Sequence, residues 1–131
     1  MKYDKLLKEV RVRAQIDDRD EAERTVLFVL QALCDRLTGE EADDLLAQLP
    51  APLKDAIHVT ETATRWSANE FVELIAGELG ISYDEARKRI QAVFEVLAEA
   101  VTPGEFHDVL SQLPSGFLEL LVERAPQATT R

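Results

Sequence analysis

A chain of 131 residues suits one domain, and at this size about two-thirds of the unfolded surface can be buried, so a core forms without covalent staples. Its single cysteine, Cys34, excludes an intramolecular disulfide, and a net charge of −10 argues against general nucleic-acid binding, which draws affinity from cations set against phosphates. Low Gly and Pro with abundant Ala, Leu and Glu point to helices throughout, and no apolar stretch approaches the roughly 20 residues that cross a bilayer. The charged start (Lys2, Asp4, Lys5, Lys8, Glu9) stands where a signal peptide would place an apolar run, so the expected compartment is the cytoplasm.

Tyr3, Leu6, Leu7, Val10 and Ala14 fall at helical spacing and predict an amphipathic first helix over 3–14. Through Arg13 this segment carries five basic and two acidic residues, a local +3 that leaves −13 for the rest of the chain. A basic helix packed beside an acidic body accounts for that asymmetry. Membrane anchoring would need bulkier apolar insertion or a lipid. Asp17, Asp18, Asp20, Glu21 and Glu23 then crowd the start of a second helix, where the positive end of the helix macrodipole favours them. They lack the glycine turn and terminal glutamate of an EF-hand loop.

From Ala22 to Leu37 the second helix is apolar on nearly every face, which places it in the middle of the protein; Cys34 reads as a small buried filler. Thr38 with Glu41 predicts a capping box, in which the hydroxyl accepts from the first turn and the glutamate reaches back to the cap residue. A short helix follows as far as Pro50, then a further turn or two over Pro52 to Ile57. Residues 58–66, rich in threonine and without apolar periodicity, form the connector.

After Trp66, the pattern begins again. Ser67 with Glu70 is another capping box, Phe71, Val72, Leu74, Ile75 and Leu79 form an apolar face, and Gly80 closes the helix as a left-handed cap. Ser82 with Glu85 opens a helix that is apolar from Ala86 to Val101. Thr102 with Glu105 caps a short helix that stops at Pro114, and Phe117 to Arg124 is helical ahead of a frayed polar tail. Residues 84–121 thus repeat 20–57. Identical columns include Asp20/Asp84, Glu21/Glu85, Val29/Val93, Leu33/Leu97, Thr38/Thr102, Glu41/Glu105, Asp44/Asp108, Gln48/Gln112 and Pro50/Pro114. The expected fold is all-α: two tandem helical repeats, about 3–58 and 67–124, related by a pseudo-two-fold and packed into one helical bundle domain.

The order Tyr-Asp-x-Leu-Leu near the start, the acidic Asp-Asp-Arg-Asp-Glu-Ala lead-in and the Leu-Pro closing each copy resemble the bacterial domain-of-unknown-function family numbered 2267. The resemblance covers essentially the whole chain and implies an all-helical bacterial protein. It brings no activity and no functional residues with it.

Chemistry is not signalled. His58 and His107 have no serine or cysteine in a recognisable elbow beside them, and the Glu-x-x-His pairs of helical di-metal sites are missing, so no catalytic residue, metal or cofactor is expected. The five glycines are scattered at helix ends and form no phosphate-cradling loop. What distinguishes the copies is charge: Glu40, Glu41, Asp43 and Asp44 in the first stand against Gly104, Glu105, His107 and Asp108 in the second. These four carboxylates mark a candidate interaction surface for a protein with a basic face. The alternative is an enzyme or small-ligand carrier with a pocket between the repeats. Oligomeric state is left open.

Overall fold

The computed structural model describes residues 1–60 and 63–122. Among them are eight helices: α1 (Tyr3–Ala14), α2 (Arg19–Arg36), α3 (Gly39–Ala47), α4 (Ala51–Ala56), α5 (Ala68–Leu79), α6 (Tyr83–Ala100), α7 (Pro103–Ser111) and α8 (Gly116–Val122). Lengths of 12, 18, 9 and 6 residues are followed by 12, 18, 9 and 7. α2 begins at Arg19, earlier than apolar periodicity indicates, because the carboxylates at its start belong to the helix: Asp18 caps it by accepting from Glu21 N–H at 3.1 Å, and Asp20 and Glu21 occupy its first turn. Residues 123–131, which contain the end of the expected last helix and the polar tail, lie outside the described residues, as do positions 61 and 62 of the connector.

α2 and α6 cross in the centre, each buried on most of its circumference. α1 lies against α2 and α6, α5 against α6 and α2, and α3 against α7, so neighbours are exchanged between the two halves. One apolar cluster runs from Leu6 through Val29, Leu33, Phe71, Val93 and Leu97 to Leu120. Where the first half places Leu6, Leu30 and Leu53 in this core, the second places Phe71, Phe94 and Phe117. Those rings meet edge-on, with centroids 5.1 Å apart for Phe71 and Phe117 and 6.5 Å for Phe71 and Phe94, so at these positions the second half fills its share with larger groups. Cys34 is buried, and burial, followed by the charges of Asp35 and Asp43, pushes its thiol up to about 12; it is packing material, not a nucleophile.

Helix ends follow local chemistry. Ser67 forms a full capping box: its Oγ accepts from Glu70 N–H at 3.0 Å, and its own N–H donates to Glu70 Oε1 at 3.0 Å. Gly80 leaves α5 at φ 66°, as glycine permits, while the matching end of α1 forces Gln15 to φ 58°. In both places the following isoleucine N–H returns to the helix, Ile16 to the Arg11 carbonyl and Ile81 to the Ala76 carbonyl. Trp66 is half-buried against the core just ahead of α5.

A polar cluster sits where α2 and α6 meet. Arg89 of α6, only 9 % exposed, donates to Glu21 Oε2 at 2.7 Å, Glu85 Oε2 at 2.9 Å and Thr25 Oγ1 at 3.0 Å. Glu21 and Glu85 occupy one duplicated column, and Thr25 and Arg89 another, so a single guanidinium serves both copies of the same glutamate. Hydrogen bonding from Arg89 holds the Glu21 carboxyl below the usual carboxylate range, and Glu85 is lowered as well through Arg89 and Lys88, against the opposing effect of burial. The glutamate at the start of α6 is thereby drawn from its expected capping role to Arg89, although Ser82 still accepts from its N–H at 3.0 Å.

Candidate functional site

The second meeting of duplicated columns lies between α3 and α7. Thr38 and Thr102 cap these helices, their hydroxyls accepting from Glu41 N–H and Glu105 N–H, each at 3.2 Å. The remaining half of each expected capping box is not made. Thr38 N–H donates to Gln112 Oε1 at 2.9 Å and Thr102 N–H to Gln48 Oε1 at 2.8 Å, so each cap residue is satisfied by the glutamine that ends the opposite helix. That exchange leaves Glu41 and Glu105 without their capping duty.

Both turn inward. In α3 the buried stripe is Glu41, Ala42, Leu45 and Leu46, with Glu41 one turn before Leu45; in α7 Glu105 stands one turn before buried Val109. Glu41 is 9 % and Glu105 8 % exposed, and the Oε2 atom of each is buried and accepts no hydrogen bond from a described protein group. Burial, then the neighbouring carboxyl of Glu105, then the charges of Asp108 and Asp44, push the Glu41 carboxyl up from 4.5 to about 8. These effects favour the protonated form of Glu41. Oxygen atoms of Glu41, Asp44 and Glu105 all lie within 4.8 Å of one another.

Glu40, Asp43 and Asp44 are exposed at the start of α3, but Glu41 belongs to the α3–α7 contact, because helical phase sets it with Leu45 and not with Glu40 and Asp43. Across the contact Asp108 is exposed too and acts on Glu41. Glu105 was the residue that sequence reasoning left in a capping role, and its signal was the repetition of its column. His58 and His107 are exposed and far apart in the fold's order, on the connector and on α7.

A separate groove of about 490 Å³ opens between α6, α7 and α8. Its lining is apolar, including Ala98, Phe106, Leu110 and the exposed Leu118, apart from His107 and Ser111. It lies within the second half of the chain. No helix among the described residues is long and apolar enough to cross a membrane.

Fold and site define a class: an all-helical protein built on a duplicated unit in the sequence, with a buried carboxyl pair where the two copies of one short helix meet. The chain belongs to the family of uncharacterized conserved proteins DUF2267, whose model matches residues 3–120. No curated protein matches it.

Proposed function

We propose that this protein is a docking module whose acidic α3–α7 face receives a basic protein surface. The observation that carries the reading is the set of exposed carboxylates Glu40, Asp43, Asp44 and Asp108 on adjoining helices: no ion pair among the described residues engages them, in a chain of net charge −10. Some carboxylates elsewhere are paired, as Glu99 with Arg13 and Asp4 with Arg19, while others, such as Asp55 and Glu78, are exposed without an ion pair among the described residues. A cationic partner would relieve the repulsion on docking and would be steered toward the face before contact. The reading also takes the described helices as one cytoplasmic domain; the approximate two-fold axis that it places between α3 and α7 is supported by the reciprocal glutamine bonds.

The test is a comparison of the parent with the Glu40→Gln/Asp43→Asn/Asp108→Asn variant as baits in extract of the source cell. A basic protein held by the parent, lost from the variant and released as salt rises supports the reading. Partners retained equally by both across a salt series refute it. The groove beside Leu118 supports a second reading, a carrier of a small apolar ligand, because its volume falls within the range of about 300–1,000 Å³ typical of ligand pockets. Displacement of a fluorescent apolar probe from the parent, and its failure to bind an Ala98→Trp variant, would favour that reading over the first.

A further inference from the structure

The duplicated columns bring two pairs of glutamates together, and the protein treats the pairs differently. Glu21 and Glu85 are joined by the guanidinium of Arg89, 2.7 Å from one and 2.9 Å from the other. Glu41 and Glu105 have no such cation. The charged groups that act on Glu41 from α3 and α7 are Glu105, Asp108 and Asp44, carboxylates all. Both members of the pair are more than nine-tenths buried, and each turns into the contact an Oε2 atom that takes no hydrogen bond from the described protein. A buried carboxylate oxygen left in this condition is unfavourable unless a proton or a metal ion meets it.

We propose that Glu41, Glu105 and Asp44 bind a divalent cation of the hard, oxygen-seeking kind, such as Ca²⁺, Mn²⁺ or Mg²⁺, which fastens α3 to α7. The donor set is oxygen alone, with neither imidazole nor thiolate, and that selects these ions over zinc or copper. Oxygens at about 2.3–2.6 Å from Ca²⁺ stand at most about 5 Å apart across the ion. Three carboxylate oxygens within 4.8 Å of one another therefore fit a single coordination sphere. Asp44 is exposed, so it opens the site to solvent, from which water completes the ligand shell. Glu40 and Asp43, on the same helix, lie outside the donor set and serve as a control for charge alone.

The experiment compares melting of the full chain in chelator with melting in CaCl₂, MnCl₂ or MgCl₂ at millimolar concentration, and titrates the parent with MnCl₂ by calorimetry. At least one of these ions should raise the melting temperature by on the order of 5 °C, with one ion bound per chain. Glu41→Gln/Glu105→Gln removes both carboxyl groups while keeping side-chain shape. It should fold in chelator at least as well as the parent, show no rise with the ion and bind none. Glu40→Gln/Asp43→Asn likewise replaces two carboxyls by amides, both on α3 and outside the donor set, and should retain the rise and the stoichiometry. A parent that melts at the same temperature in chelator and in all three ions overturns the site, as does a rise that survives in the Glu41/Glu105 variant or disappears equally in the control. If the double variant fails to fold, Mn²⁺ stoichiometry in the single Glu105→Gln variant decides: retention of one tightly bound ion overturns the proposal and its loss upholds it.

Discussion

Replacing Glu105 by glutamine should make the metal-free protein less sensitive to pH in a predictable direction. With Glu41 raised from 4.5 to about 8, the folded chain keeps a proton that the unfolded chain releases over that interval. Unfolding between these limits liberates a proton, so stability from this pair falls as pH rises through the window, is undiminished below 4.5 and is fully reduced above 8. At 1.36 kcal/mol for each pH unit, the reduction amounts to about 3 kcal/mol at pH 7 and somewhat more at pH 8. In Glu105→Gln the amide keeps the shape of the side chain, removes the charge that repels Glu41 and can donate to its carboxylate, so most of this penalty should vanish. Urea denaturation in chelator should accordingly find parent and variant within about 1 kcal/mol of each other at pH 5, and the variant ahead by about 3 kcal/mol at pH 8. For a chain of this length that corresponds to a melting temperature higher by roughly 10 °C. A difference between the two proteins that stays constant from pH 5 to pH 8 would refute the shared-proton account of the α3–α7 contact.

Other perturbations test other joints. Gln48→Ala and Gln112→Ala each strip a cap-residue N–H of its partner and should lower stability by about 1 kcal/mol, while Thr102→Ala should cost about 0.5–2 kcal/mol; unchanged urea midpoints would show that these contacts are idle. Gln15→Gly should raise stability by up to about 1 kcal/mol and Gly80→Ala lower it by about as much, since both positions are left-handed; denaturation curves of the pair check the signs. Arg89→Met leaves two carboxylates facing each other and should cost about 3 kcal/mol at pH 7. Because Glu21 and Glu85 are lowered in the parent, the Arg89 contribution should fade as pH falls through their titration, so the gap between parent and variant narrows in acid. Residues 1–62 alone lack the helices against which α1 and α2 pack, and should fail to give a monomer that melts cooperatively in calorimetry.

The helices and their order were legible because the signals are local. Periodicity placed α1 at its observed bounds, threonine and serine hydroxyls marked the starts of α3, α5, α6 and α7, and Gly80 marked a left-handed end. Long-range polar contacts were not. Thr38-x-x-Glu41 has the spacing of a closed capping box, and nothing within four residues shows that Gln112, 74 positions away, takes the glutamate's part. Arg89 and Gln91 interrupt an apolar helix in the sequence, yet both are buried, because a guanidinium with three acceptors and an amide that donates to the Leu120 carbonyl are compatible with a core. Glu41 was grouped with its sequence neighbours as surface, although its phase with Leu45 and the duplication of its column carried the opposite message.

Arg89 and Thr25 have one further implication. They fill the same column of the duplicated unit, and they touch. Were the halves two separate identical chains paired in this way, that position would meet its own twin: two arginines would crowd one another, and two threonines would leave Glu21 and Glu85 without a cation between them. A single chain lifts the constraint, since it can carry arginine in one half and threonine in the other. The contact between these two residues is thus an arrangement open to a single chain that carries both columns and closed to an equivalent homodimer.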